Sequence, residues 1–156
     1  MAAVLTLRVY SGTDAATESA AETAIAWTDV DDATVDPTSD TVAPGTNSYE
    51  KWMRVSIDTP DGGTFTNFWI ERSGDLPDGV VVKMGVTDTA ATPTRSASTV
   101  ATTTMADGRR YIFDANEYST SGDKSRYVVV QEQTTAAATT GDIDQQTLTF
   151  GWQQSS

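Results

Sequence analysis

Apolar and polar residues alternate in short runs along most of this chain, and turn residues separate the runs. Val4 to Tyr10 places Leu5, Leu7 and Val9 on one face and Thr6 and Arg8 on the other, the period of a half-buried strand. Ser48 to Asp58 is the clearest case, with Tyr49, Met53, Val55 and Ile57 set against Glu50, Trp52, Arg54 and Ser56. Thr59-Pro60-Asp61-Gly62-Gly63 then reads as a turn, because proline presets φ and glycine accepts positive φ. Thr64 to Arg72 is expected to return as its hairpin partner, carrying Phe65, Phe68, Trp69 and Ile70. After the turn Leu76-Pro77-Asp78-Gly79, Val80 to Val86 is apolar on nearly both faces and predicts a central strand. Arg109 to Asp114, Ser125 to Gln133 and Gln145 to Trp152 predict three more, and Ile25 with Trp27 a short one.

The intervening segments carry no helical period. Thr13 to Ala24 has too few large apolar residues to anchor a helix and reads as a loop. Residues 29–47 read as a long acidic surface connection with Pro37, Pro44 and Gly45. Residues 87–104 form a Thr/Ala/Ser tract, expected as extended edge backbone broken at Pro93. Thr134 to Gly141 reads as a polar hairpin loop. About eight strands without a long helix predict one all-β domain over residues 1–156, an antiparallel β-sandwich of jelly-roll-like form.

Composition narrows the function. The 156 residues include no Cys and no His, which removes disulfides, thiolate nucleophiles, imidazole bases and the common zinc ligands. Ten basic residues against 22 acidic ones give a net charge of −12, a field that repels nucleic acid and anionic membranes alike. No run of apolar residues is long enough for a membrane span, and the N-terminus lacks the pattern of a signal peptide. Thr is the commonest residue, and its branched β-carbon favours extended backbone.

Three sets of residues invite chemistry. Asp29, Asp31, Asp32 and Asp36 offer oxygens for Ca²⁺ but lack the spacing of an EF-hand loop, so a solvated acidic loop is the expectation and no metal or other cofactor is assigned. Glu50 and Glu71, on strands expected to be neighbours, could form a glycosidase pair, yet Lys51 and Arg72 beside them point to surface charge pairing, and no catalytic residue is assigned. Four tryptophans on a β-sandwich could stack on sugars; burial in the core or at a subunit interface is the stronger expectation. Trp52 stands opposite the apolar face of its strand. It is expected to be left uncovered by a monomer, and with Arg54 and Trp69 it forms the candidate interface.

Three segments carry a family resemblance. Ser48 to Val55 reads SYEKWMRV, Thr66 to Arg72 reads TNFWIER, and Leu76 to Val86 reads LPDGVVVKMGV, followed by a tract containing Thr92-Pro93 and Ser98. In this order they resemble small virion structural proteins encoded near the capsid genes of tailed double-stranded DNA bacteriophages. Ala90 and Ala91 depart from the pattern, which sets an aromatic residue before the Thr-Pro step. The resemblance spans about a third of the chain and implies a non-enzymatic capsid decoration, or cement, protein. Such a protein would sit on the outer surface of the head, bind the major capsid protein and associate with its own copies, with a trimer favoured because capsid lattices offer local three-fold axes. A tail-associated or connector protein, or a carbohydrate-binding module used in attachment, are the alternatives.

Overall fold

The structure, a computed structural model, describes residues 2–20, 27, 29–31, 42–138 and 146–155. Among them, nine strands form two antiparallel sheets: β1 (Val4–Ser11), β2 (Thr17–Glu18), β3 (Lys51–Thr59), β4 (Thr64–Ser73), β5 (Val80–Thr87), β6 (Thr103–Thr104), β7 (Arg110–Asp114), β8 (Tyr127–Thr134) and β9 (Thr147–Ser155). One sheet runs β2-β1-β3-β8-β5-β6 and the other β7-β4-β9. The expected antiparallel β-sandwich is present; a jelly-roll winding does not follow from this strand order.

The core lies where the alternating runs place it. Val9, Met53, Val55, Ile57, Val82, Met84, Val128 and Val130 of the larger sheet pack against Phe65, Phe68, Ile70 and Phe113 of the smaller one. Trp27 packs half-buried against this core, and Ile25, its predicted strand neighbour, lies outside the described residues. The segment expected as a loop after β1 contains a single 3-10 turn, Thr13–Ala15, and the short strand β2.

One expectation about pairing is corrected. β3 and β4 are not hairpin partners, because β3 pairs β1 and β8 while β4 pairs β7 and β9. The Pro60–Gly63 turn, closed by Gly63 N–H donating to the Pro60 carbonyl at 2.9 Å, carries the chain from one sheet to the facing one. β5 is interior to the larger sheet, flanked by β8 and β6, but off its middle, which β3 and β8 hold; the β6 on its far side is only two residues long, and Val81 is exposed.

The outer face of the larger sheet is covered by a third layer. Between β5 and β6 the Thr/Ala/Ser tract lies across the sheet, held by side chains and by one backbone bond, Glu50 N–H donating to the Thr94 carbonyl at 3.0 Å. Gln131 Nε2 donates to the carbonyls of Ser48, Thr94 and Ser96 at 3.0, 3.2 and 2.9 Å, and its Oε1 accepts from Ser98 N–H at 2.9 Å. Glu50 Oε2 accepts from Trp52 Nε1 at 2.9 Å and from Thr94 N–H at 3.3 Å. The expected edge is present only at its end, where Thr103–Thr104 is the edge strand β6; near Thr94, Ser96 and Ser98 the tract is not an open edge, because the Glu50 and Gln131 side chains and the Glu50 N–H bond its backbone.

Gly85 sets how closely this layer approaches. A Cβ there would lie 1.8 Å from the carbonyl oxygen of Val100, a backbone atom that cannot swing aside. Gly85→Ala is expected to lower unfolding stability by roughly 2 kcal/mol through overpacking. Urea denaturation followed by tryptophan emission checks this, and an unchanged midpoint would show that the layer yields freely.

Candidate functional site

The three predicted interface residues do not share a site. Trp52 is 1% exposed and sits in a second core between the larger sheet and its covering layer, with Tyr10, Ala15, Ala101, Tyr127 and Val129. Tyr127 meets its ring edge-on at 5.6 Å and meets Tyr10 at 5.3 Å. Alternation places Trp52 on the correct face of β3, but that face is covered, so Trp52 is a core residue and not the uncovered interface residue expected. Arg54, on the same face, is a structural clamp. Its Nε donates to the Ser125 carbonyl at 2.5 Å, its Nη2 to the Lys124 carbonyl at 3.1 Å, and its guanidinium covers the Tyr127 ring at 4.6 Å.

Trp69 lies on the other side of the molecule. On β4, Phe68, Ile70 and Arg72 are buried toward the facing sheet, so Trp69 and Glu71 point outward. A bulge at Asn67 and Phe68, where Asn67 adopts φ +50°, precedes Trp69 and sets its position. The register places Ile112 of β7 and Gly151 of β9 on either side of Trp69, with Arg110 and Thr149 flanking Glu71. Ile112 is 63% exposed. The Trp69 indole lies directly over Gly151, since a Cβ there would fall 2.1 Å from Trp69 Cζ2. Arg110 stacks on the same ring at 4.1 Å and holds Glu71 Oε2 at 3.0 Å. Asn67 Nδ2 donates to Gln153 Oε1 at 2.6 Å along the neighbouring row. The outward face of the three-stranded sheet is thus an Ile–Trp–Gly row bordered by a charged pair and an amide pair. Ile112 escaped the sequence argument, although alternation in Arg110-Tyr111-Ile112-Phe113 sets it opposite the two aromatic residues.

The other candidates separate in space. Glu50 bonds on the covered face of the larger sheet and Glu71 on the outward face of the smaller one, so the sandwich lies between them and they form no carboxylate pair. Asp31 Oδ2 accepts from Gly12 N–H at 2.8 Å, and Asp29 approaches Arg95 at 3.8 Å. Asp32 and Asp36 lie outside the described residues, as do residues 139–141 of the predicted hairpin loop, and no group of three metal-ligating side chains forms among the described ones. Comparison with family models, curated proteins and solved structures returns no match.

Proposed function

We propose that this chain is a structural virion protein of a tailed bacteriophage, a capsid decoration protein that binds the major capsid protein on the outer surface of the head. The sequence resemblance supplies the class. The observation that carries the reading in the structure is the outward Ile112–Trp69–Gly151 row. It is an apolar and aromatic strip on an outward sheet face in a chain of net charge −12. Such a strip suits a protein contact, because a buried aromatic anchor contributes much of the energy of an interface, and the acidic surface around it suppresses non-specific association. A protein that binds the assembled shell and not its dissociated subunits stabilises the shell by mass action.

Sugar binding is the second reading, favoured by the amide pair Asn67–Gln153 beside an outward tryptophan. The Arg110 guanidinium already stacks on that ring, and a pyranose would have to displace it, which favours the protein contact. A tail or connector location is separated from the head by copy number: hundreds per particle by mass spectrometry of purified virions support decoration.

The direct test titrates the protein onto purified heads that lack it. The paired change Trp69→Ala with Ile112→Ser is expected to weaken occupancy at least about tenfold near half-saturation, with a circular dichroism spectrum that shows the chain still folded at the assay temperature. Binding at wild-type affinity would remove this face from the contact, and retention on a glycan column in place of heads would favour the sugar reading.

A further inference from the structure

We propose that two copies of this chain associate edge to edge through β9, joining their three-stranded sheets into one six-stranded sheet around a two-fold axis at Gly151. A free strand edge offers unpaired N–H and C=O groups, and proteins blunt it by short length, charge, proline or a bulge. Among the described residues, the larger sheet ends at β2 and β6, each only two residues long. The smaller sheet ends on one side at β7, five residues bounded by Arg110 and Asp114. Its other end is β9, and β9 has none of these devices. It runs for nine residues, Thr-Leu-Thr-Phe-Gly-Trp-Gln-Gln-Ser, with no charge and no proline. One side pairs with β4, no described strand lies on the other, and six of its nine residues are exposed, Trp152 at 37%.

The charge pattern selects the occupant. Two identical chains of net charge −12 repel over most of their surfaces, and a nine-residue neutral strand is a place where they can meet without opposing like charges. Antiparallel pairing is self-complementary under a two-fold axis. With the axis at Gly151, the middle residue of β9, every residue finds a partner. Thr147 meets Ser155, Leu148 meets Gln154, Thr149 meets Gln153, and Phe150 meets Trp152 of the second copy. The Phe150–Trp152 pair occurs twice and covers the exposed indole with a cross-strand aromatic contact. Glycine meets glycine on the outward face. Each Trp69 ring already lies over its own Gly151, so the two rings come to lie over adjacent strands, about 5 Å apart, within stacking range. This two-fold contact takes the place of the three-fold association expected from the sequence, and it is read in solution without any capsid, so it stands or falls separately from the decoration reading.

Sedimentation velocity of the full chain over about 1–100 µM tests the pairing. The expected species has twice the 16.6 kDa mass of one chain. The double variant Thr149→Lys with Gln153→Lys places lysine opposite lysine at two outward, exposed positions. It is expected to weaken the dimer at least about tenfold while its circular dichroism and melting temperature stay close to wild type. Mixing it with Thr149→Glu/Gln153→Glu should restore a heterodimer through opposite charges. A wild-type protein that remains monomeric across the range, a trimer, or a dimer indifferent to the lysine substitutions would each overturn the proposal.

Discussion

Trp52→Ala should cost the isolated chain about 3–5 kcal/mol of folding stability, a large share of what a domain of this size possesses. The indole is the largest side chain of the second core and is almost wholly enclosed. Its removal leaves a cavity that the Tyr127 and Tyr10 rings cannot fill by small shifts, because each is held by further contacts: Tyr127 beneath Arg54, Tyr10 through its hydroxyl donating to Glu18 Oε2 at 3.0 Å. The substitution also deprives Glu50 of the Nε1–H donor, leaving a buried carboxylate with less of its bonding capacity met. Loss should therefore spread to the covering layer that Glu50 and Gln131 tether. Chemical denaturation gives the stability change, and amide exchange at Thr94 and Ser98 reports the layer. A variant with near wild-type stability would mean that the indole makes no net contribution to the fold.

The contrast between Trp52 and Trp69 shows what alternation reveals and what it hides. Alternation located seven of the nine strands and gave the correct face for Met53, Val55, Ile57 and Trp52, because period-two burial is written in every second residue. It missed β2 and β6, which at two residues are too short to show a period. It also missed the jump between sheets, because Pro60 to Gly63 specifies a reversal but not whether the returning strand pairs with its predecessor or faces it across the core. The third layer was hidden for a different reason: it buries backbone and small side chains, such as Ala101, and carries no apolar rhythm. Its traces lay in the sheet. Gln131 is a polar residue directly after the apolar run Val128 to Val130, Glu50 precedes β3 on the same side as Trp52, and Gly85 is a position without a side chain on a strand; together they mark a backbone lying close and needing hydrogen bonds. The outward place of Ile112 is legible in its alternation and Trp69 is a candidate interface residue, but their meeting on one row depends on the β4 bulge and on the β4–β7 register, which only the fold supplies.

Stability should fall as pH rises from about 4.5 to about 7 through one residue, Glu132, and by roughly 3 kcal/mol in total. Glu132 lies on β8 beyond Val128 and Val130 and, by alternation, points with them into the space between the sheets, where it is 1% exposed. Its Oε2 has no hydrogen-bond partner. The backbone at this position is fixed, since Ser48 N–H donates to the Glu132 carbonyl at 2.9 Å and Glu132 N–H donates to Ser48 Oγ at 3.1 Å, so the side chain is not carried to solvent by a local shift. Burial penalises the carboxylate and raises its pKa from 4.5 to about 7. Between those values the folded chain retains a proton that the unfolded chain has released, so each unit of rising pH removes about 1.4 kcal/mol. Below pH 4.5 both states are protonated and this residue imposes no charge-burial cost; above pH 7 both have released the proton and the full cost remains. Glu18 runs the other way. Burial raises its pKa, but hydrogen bonds from Lys124 and Tyr10 outweigh that and hold it below its usual value, so its contribution is lost as pH falls. Glu132→Gln isolates the first effect, because it replaces a neutral acid with a neutral amide of nearly the same shape. The variant should match wild type near pH 4.5 and exceed it by on the order of 2–3 kcal/mol at pH 8, measured by urea denaturation at each pH. A stability difference that stays constant across this range would show that Glu132 titrates as an ordinary carboxylate and that its side chain finds a polar partner or water in solution.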